Sequence, residues 1–211
     1  MIGTVSRLRQ IRQYAHEGIW HIWLGYDHVV FLLALLLPAV LRRIANRWEP
    51  APDFFSALGE VVAIVTAFTV AHSITLSLAS LGVISLPSRL IESAIAASVA
   101  FAGVSNLYPA LTQRRWLVAF LFGLIHGFGF ASVLSDLGLP PGSLALSLVS
   151  FNLGVEVGQL AIVAIFLPLA YGLRKSWTYQ RLVLVSGSLG IIALACVWLM
   201  ERALDLKLIP L

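Results

Sequence analysis

Residues 18–41 read GIWHIWLGYDHVVFLLALLLPAVL, a stretch whose one formally charged side chain is Asp27. About 20 mainly apolar residues cross the hydrocarbon core of a bilayer, so this run is read as a membrane span. Its polar content sets it apart. His21, Asp27 and His28 lie inside it, although a charged group at the centre of a spanning helix costs roughly 2.5–3.5 kcal/mol on insertion scales.

The rest of the chain follows the same pattern. Of 211 residues, 59% are hydrophobic and 11% charged, against about a quarter charged in soluble proteins. That composition excludes a disordered chain and a collagen-like fibre, and the single cysteine, Cys196, excludes a disulfide-rich module. Five further charge-poor stretches follow, at residues 58–82, 88–110, 116–137, 143–173 and 182–200. Turn or charge signals separate them at 42–52, 85–87, 112–115, 138–142 and 174–181. The fifth stretch is long enough to tilt or bend near Pro168. Continuous runs of this length are not the alternating ten-residue strands of a membrane β-barrel. The expected fold is all-α: a polytopic bundle of six transmembrane helices forming one domain, residues 18–211. Before it stands a short N-terminal arm, residues 1–17, expected along the membrane interface because Leu8, Ile11, Ala15 and Ile19 share a helical face. The arm lacks the apolar run and cleavage site of a signal peptide.

The net charge of +4 is not a nucleic-acid footprint, because the basic residues sit in short loops without interleaved aromatics. Arg42, Arg43, Arg47, Arg114, Arg115, Arg174, Lys175 and Arg181 follow the first, third and fifth spans, and Arg89 alone follows the second or fourth. The positive-inside rule then predicts a multi-pass protein of the inner cell membrane with both termini extracytoplasmic, against the pull of Arg7, Arg9 and Arg12.

Intramembrane polar residues carry the functional information. At 1.5 Å per residue, Asp27, His28, His72, His126 and Asn152 each lie about 15 Å from the loop ends on the side of the termini, one layer near the midplane. Glu156 sits a turn deeper, while Glu17, His21 and Glu92 lie nearer that outer mouth. Glu17, His21 and His28 share one helical face, and Asn152, Glu156 and Gln159 share another. Each histidine taken alone reads as interhelical hydrogen-bonding glue, as do Thr69 and Thr75 around His72. Gly123, Gly127, Gly154 and Gly158 read as packing sites. Taken together, imidazoles and carboxylates in one layer suit a divalent ion such as nickel, zinc, cobalt, iron or manganese. The lack of thiols argues against Cu(I).

The segment His21-Ile-Trp-Leu-Gly-Tyr-Asp27-His28 resembles the first-helix signature of the HupE/UreJ family of nickel permease-like proteins. Ala67-Phe-Thr-Val-Ala-His72-Ser, Phe122-Gly-Leu-Ile-His126-Gly-Phe-Gly-Phe and Phe151-Asn-Leu-Gly-Val-Glu156-Val-Gly-Gln159 are similar to its second subgroup. The resemblance implies a small polytopic protein supplying nickel to hydrogenases or ureases, with His21, Asp27 and His28 needed for transport and His126 matching the family's fourth-helix His-Gly. Ile22 stands where better-studied members carry proline, and an additional fourth-helix histidine is missing.

The expected function is therefore membrane transport of a divalent cation, nickel first. The metal residues expected are His21, Asp27, His28, His72, His126 and Glu156, with Glu17, Glu92, Asn152, Gln159 and Thr69 along the pathway or in support. Transport requires no catalytic residue and no nucleotide motif is present. The alternative is an intramembrane zinc hydrolase using the same cluster, with Glu156 or Asp27 as general base. A scaffold for metalloenzyme assembly would bind no metal. Expected partners are the bilayer and the metal ion, a homo-oligomer being compatible with both.

Overall fold

The computed structural model describes residues 7–44, 47–108, 111, 114–130 and 141–206. Its helices are α1 (Arg7–Leu24), α2 (Tyr26–Leu36), α3 (Phe54–Ser80), α4 (Ser88–Leu107), α5 (Arg115–His126), α6 (Pro141–Leu173) and α7 (Leu184–Leu204), the last entered through a π-helical turn at Thr178–Val183. Four helices among the described residues are long and apolar enough to cross a membrane, or five when α1 and α2 count as one bent span.

Two of the six expected spans differ from a straight helix. The first, read as continuous over residues 18–41, breaks at Gly25, where α1 and α2 meet at 72°. Gly25 is extended, with φ −77° and ψ 92°. The span also ends early, at Leu36, where Pro38 has no N–H with which to continue the helical hydrogen bonds. The fourth, expected over 116–137, is helical only through His126 and turns at residues 127–130; its remainder lies outside the described residues. At about 18 Å, α5 reaches little more than half-way across a hydrocarbon core of about 30 Å.

The all-α expectation needs one correction. Part of the segment read as a basic loop is an antiparallel hairpin, β1 (Leu41–Ile44) with β2 (Arg47–Pro50), in which Arg42 pairs with Glu49 and Arg43 with Trp48. It is pinned to the bundle where Trp48 Nε1 donates to the Asn106 carbonyl at 2.7 Å, while Asn106 Nδ2 donates to the Ala34 carbonyl at 2.8 Å.

Small residues bring the helices together, as expected for interfaces that gain nothing from excluding lipid. α1 lies along α6, α5 along α3, and α4 along α7. A Cβ on Gly154 would strike the Ala15 carbonyl, and one on Gly18 the Phe151 carbonyl, so the first pair meets backbone to backbone. Gly123 and Gly127 do the same for α5 against Phe68 and His72 of α3. Of the residues expected as an interfacial arm, 1–6 lie outside the described residues and 7–17 belong to the helix that carries His21, where Gln10 Nε2 donates to the Ser143 carbonyl at 2.8 Å.

Candidate functional site

The helix breaks and the close α3–α5 contact gather four imidazoles. His21 ends α1, His28 opens α2, His72 comes from the middle of α3 and His126 is the last residue of α5. Ring centres are 4.5 Å apart for His21 and His28, 5.3 Å for His28 and His126, 6.2 Å for His21 and His72, and 6.4 Å for His28 and His72. His72 and His126 are fully buried and His28 nearly so. Aromatic rings wall the cluster: Phe68 stacks on His72, Phe31 lies against His126, and Phe130 and Phe151 lie against His21.

Neighbours fix the tautomer of two of these rings. His28 Nδ1 donates to Asp27 Oδ1 at 2.9 Å, which leaves Nε2 with its lone pair. The Ser98 hydroxyl has one proton and gives it to the Ile95 carbonyl at 2.6 Å. The 2.9 Å contact between Ser98 Oγ and His126 Nε2 is therefore a bond donated by the imidazole, and His126 Nδ1 keeps the lone pair. A carboxylate or hydroxyl that takes one ring proton so the other nitrogen faces a cation is the usual support behind metal-bound histidine. Asp27 is itself braced by Arg202, whose Nη2 lies 3.4 Å from Oδ2.

The opposite nitrogens have no partner among the described residues: His21 Nε2, His28 Nε2, His126 Nδ1 and both nitrogens of His72 are buried there without a hydrogen bond. Each such group costs about 1–3 kcal/mol, so five in one cluster are not explained by packing. Two imidazoles sharing an ion at an N–metal length of about 2.1 Å hold their ring centres no more than roughly 6.5 Å apart, and all four separations fall within that limit. As packed, among the described residues no three His, Cys, Asp or Glu side chains form a group that would hold a metal ion.

The other expected site residues lie elsewhere. Glu17 is exposed on α1. Glu92 lines a cavity of about 330 Å³ with Ser85, Ser88, Phe128 and Gly129, beside the α5 end that carries His126. Glu156, Asn152 and Thr69 line a groove of about 340 Å³ between α3 and α6, where Thr66 Oγ1 donates to Glu156 Oε1 at 3.4 Å. Gln159 is buried beside it and accepts from Thr69 Oγ1 at 3.1 Å. The structure thus brings His21, Asp27, His28, His72 and His126 together and does not bring Glu156 to them.

Ser98 and Arg202 were not anticipated. The last helix reads as scaffold because it is apolar up to Glu201, yet a carboxylate such as Asp27 inside a span requires a cationic neighbour, and Arg202 stands at a helix end on the same side of the bundle.

Apolar helices of membrane-spanning length around buried imidazoles and a carboxylate define a multi-pass membrane protein. The family model described as HupE / UreJ protein matches residues 2–202, and the chain belongs to that family. Family and fold together connect it with metal transport across membranes. Comparison with curated proteins finds no match, and comparison with solved structures finds none.

Proposed function

We propose that the protein carries a divalent transition-metal cation, nickel first, across the inner cell membrane by way of the His21–His28–His72–His126 cluster. One observation carries this reading: His28 Nε2 and His126 Nδ1 are buried lone pairs, each set by a partner on the far side of its ring. The cation is the substrate. It enters past Glu92 from the cavity that Phe128 and Gly129 share with that carboxylate, and it meets imidazoles that replace part of its hydration shell. Discontinuous helices around a mid-membrane site are a device of transporters, because unwound backbone and helix ends can rearrange around a substrate. His21 and His28 flank one such break, and His126 is the last residue of α5. Since imidazole must be neutral to bind metal, uptake is favoured at neutral over acidic pH.

In this reading the chain crosses the membrane six times, with α1–α2 counted as one bent span and α5 standing in another. The hairpin, Arg115 and Arg174 gather at one end of the bundle, where Arg115 Nη1 donates to Glu60 at 2.8 Å and Arg174 Nε to the Ala51 carbonyl at 3.1 Å. The positive-inside rule makes that end cytoplasmic and both termini extracytoplasmic.

The test is nickel binding to the purified protein, followed by nickel flux into proteoliposomes, for the wild type, His28→Ala and His126→Ala. Saturable binding lost in both variants, with flux lost in parallel, is the expected result. A wild type that binds no divalent metal overturns the reading.

A further inference from the structure

Glu156 lies about 20 Å along α6 from Ser143 and about 26 Å from Leu173, which puts its carboxylate deep in the hydrocarbon region. No ion pair reaches it among the described residues. No titratable side chain of α1, α2 or α3, the helices packed against α6, lines the groove with it. Asp27, His28 and His72 belong to the histidine cluster, and Glu60 pairs with Arg115. A charged carboxylate cannot rest there uncompensated.

The groove supplies oxygen and nothing softer. Its polar lining is Thr66, Thr69, Ser73, Ser77, Asn152 and Glu156. Asn152 is the second, independent sign of a ligand. Its Nδ2 is spent on the Leu148 carbonyl at 2.8 Å, while Oδ1, in a residue 8% exposed, has no partner among the described residues. One carboxylate with neutral amide and hydroxyl oxygens matches a hard cation of single charge, as nitrogen-rich sites match transition metals.

We infer that the α3–α6 groove is a monovalent-cation site, separate from the histidine cluster, in which Glu156 and the Asn152 amide oxygen hold a proton or a sodium ion. A site of this kind, open toward the lipid face where Val149 and Leu153 are exposed, supplies a coupling ion for a chain without a nucleotide motif. That role rests on the transport reading; the binding does not.

A carbodiimide modifies a protonated carboxyl in apolar surroundings, and peptide mass spectrometry locates the adduct. The full-length protein in lipid nanodiscs is treated with dicyclohexylcarbodiimide across a sodium chloride series at fixed pH, and across a pH series without sodium. Modification of Glu156 is expected. Protection by sodium at fixed pH identifies sodium. Modification that persists well above the ordinary glutamate range of about 4.3 and ignores sodium identifies a proton site. Asn152→Ala is expected to raise the protecting concentration, or shift the pH midpoint, by about tenfold or one pH unit. His126→Ala leaves both unchanged, which keeps this site distinct from the metal reading. An unmodified Glu156, or one that follows ordinary glutamate titration without a sodium effect, overturns the inference.

Discussion

Asp27 accepts two hydrogen bonds from His28 through one oxygen, from the backbone N–H and from ring Nδ1, each at 2.9 Å. The carboxylate therefore fixes both the start of α2 and the face that the His28 ring turns to the cluster. Asp27→Asn keeps the shape but weakens the pull on the ring proton. Nickel affinity is expected to fall by about 10–100-fold, read by titration calorimetry on protein that still elutes as wild type. A change under about twofold means that Asp27 does not act through His28.

Ser98 plays the corresponding part for His126. Ser98→Ala removes the acceptor of the Nε2 proton, frees the ring to exchange tautomers, and is expected to lower nickel affinity by about tenfold or more. Unchanged affinity in Ser98→Ala would show that the Nδ1 lone pair needs no such support.

These two partners mark how far the sequence could be read. Four of the spans were legible because charge-poor runs are long, and the meeting of His28, His72 and His126 was legible because depth in a helix is linear in residue number. Which way a helix face points is a tertiary property. Asn152, Glu156 and Gln159 do lie on one side of α6, but that side meets α3 at a groove of its own. Gly25 carries no local mark that distinguishes a break from a packing site, and Pro38, the one plain stop signal, was outweighed by the apolar residues that follow it. Ser98 is one small hydroxyl among many, and only its 2.9 Å contact with His126 singles it out.

Gly154 tests the packing that holds α1 in place. Its absent Cβ would meet Ala15 backbone, which has no rotamer to give, whereas a Cβ on Gly59 meets nothing within 4 Å. Gly154→Ala is expected to cost about 1–3 kcal/mol and to lower the thermal midpoint. Gly59→Ala, an exchange toward a better helix former, leaves the midpoint level or raises it. Equal behaviour of the two variants in a thermal shift assay contradicts the backbone contact.

The cap of α3 gives a pH dependence outside the membrane. Asp53 accepts from the Ser56 hydroxyl at 2.6 Å and from the Ser56 amide at 2.8 Å, and these bonds hold its carboxyl below the usual aspartate value. A depressed value means the stabilisation is present above the unfolded aspartate value of about 3.9 and is lost as pH falls through the folded one. Asp53→Asn, which also caps helices, does not titrate. Between about pH 5 and about pH 3 the wild type is expected to lose more of its thermal midpoint than this variant. Parallel curves would remove the cap as the cause.

Gly25 is where the fold and the site are joined. A Cβ there would stand 2.7 Å from the His21 carbonyl and 2.8 Å from His28 Nδ1, with Asp27 Oδ1 next at 3.4 Å. Its backbone angles are open to any residue, so alanine meets no conformational barrier and the cost is steric. The backbone carbonyl cannot yield, whereas the imidazole can. Gly25→Ala is therefore expected to displace the backbone at the α1–α2 break, lowering the thermal midpoint, and to push the His28 ring off Asp27. Nickel affinity should fall as far as in Asp27→Asn, by about 10–100-fold, and the double variant should be no worse than either single one, because both act through the same ring. Additive losses in that cycle, measured by calorimetry, would mean that the glycine serves only the helix break.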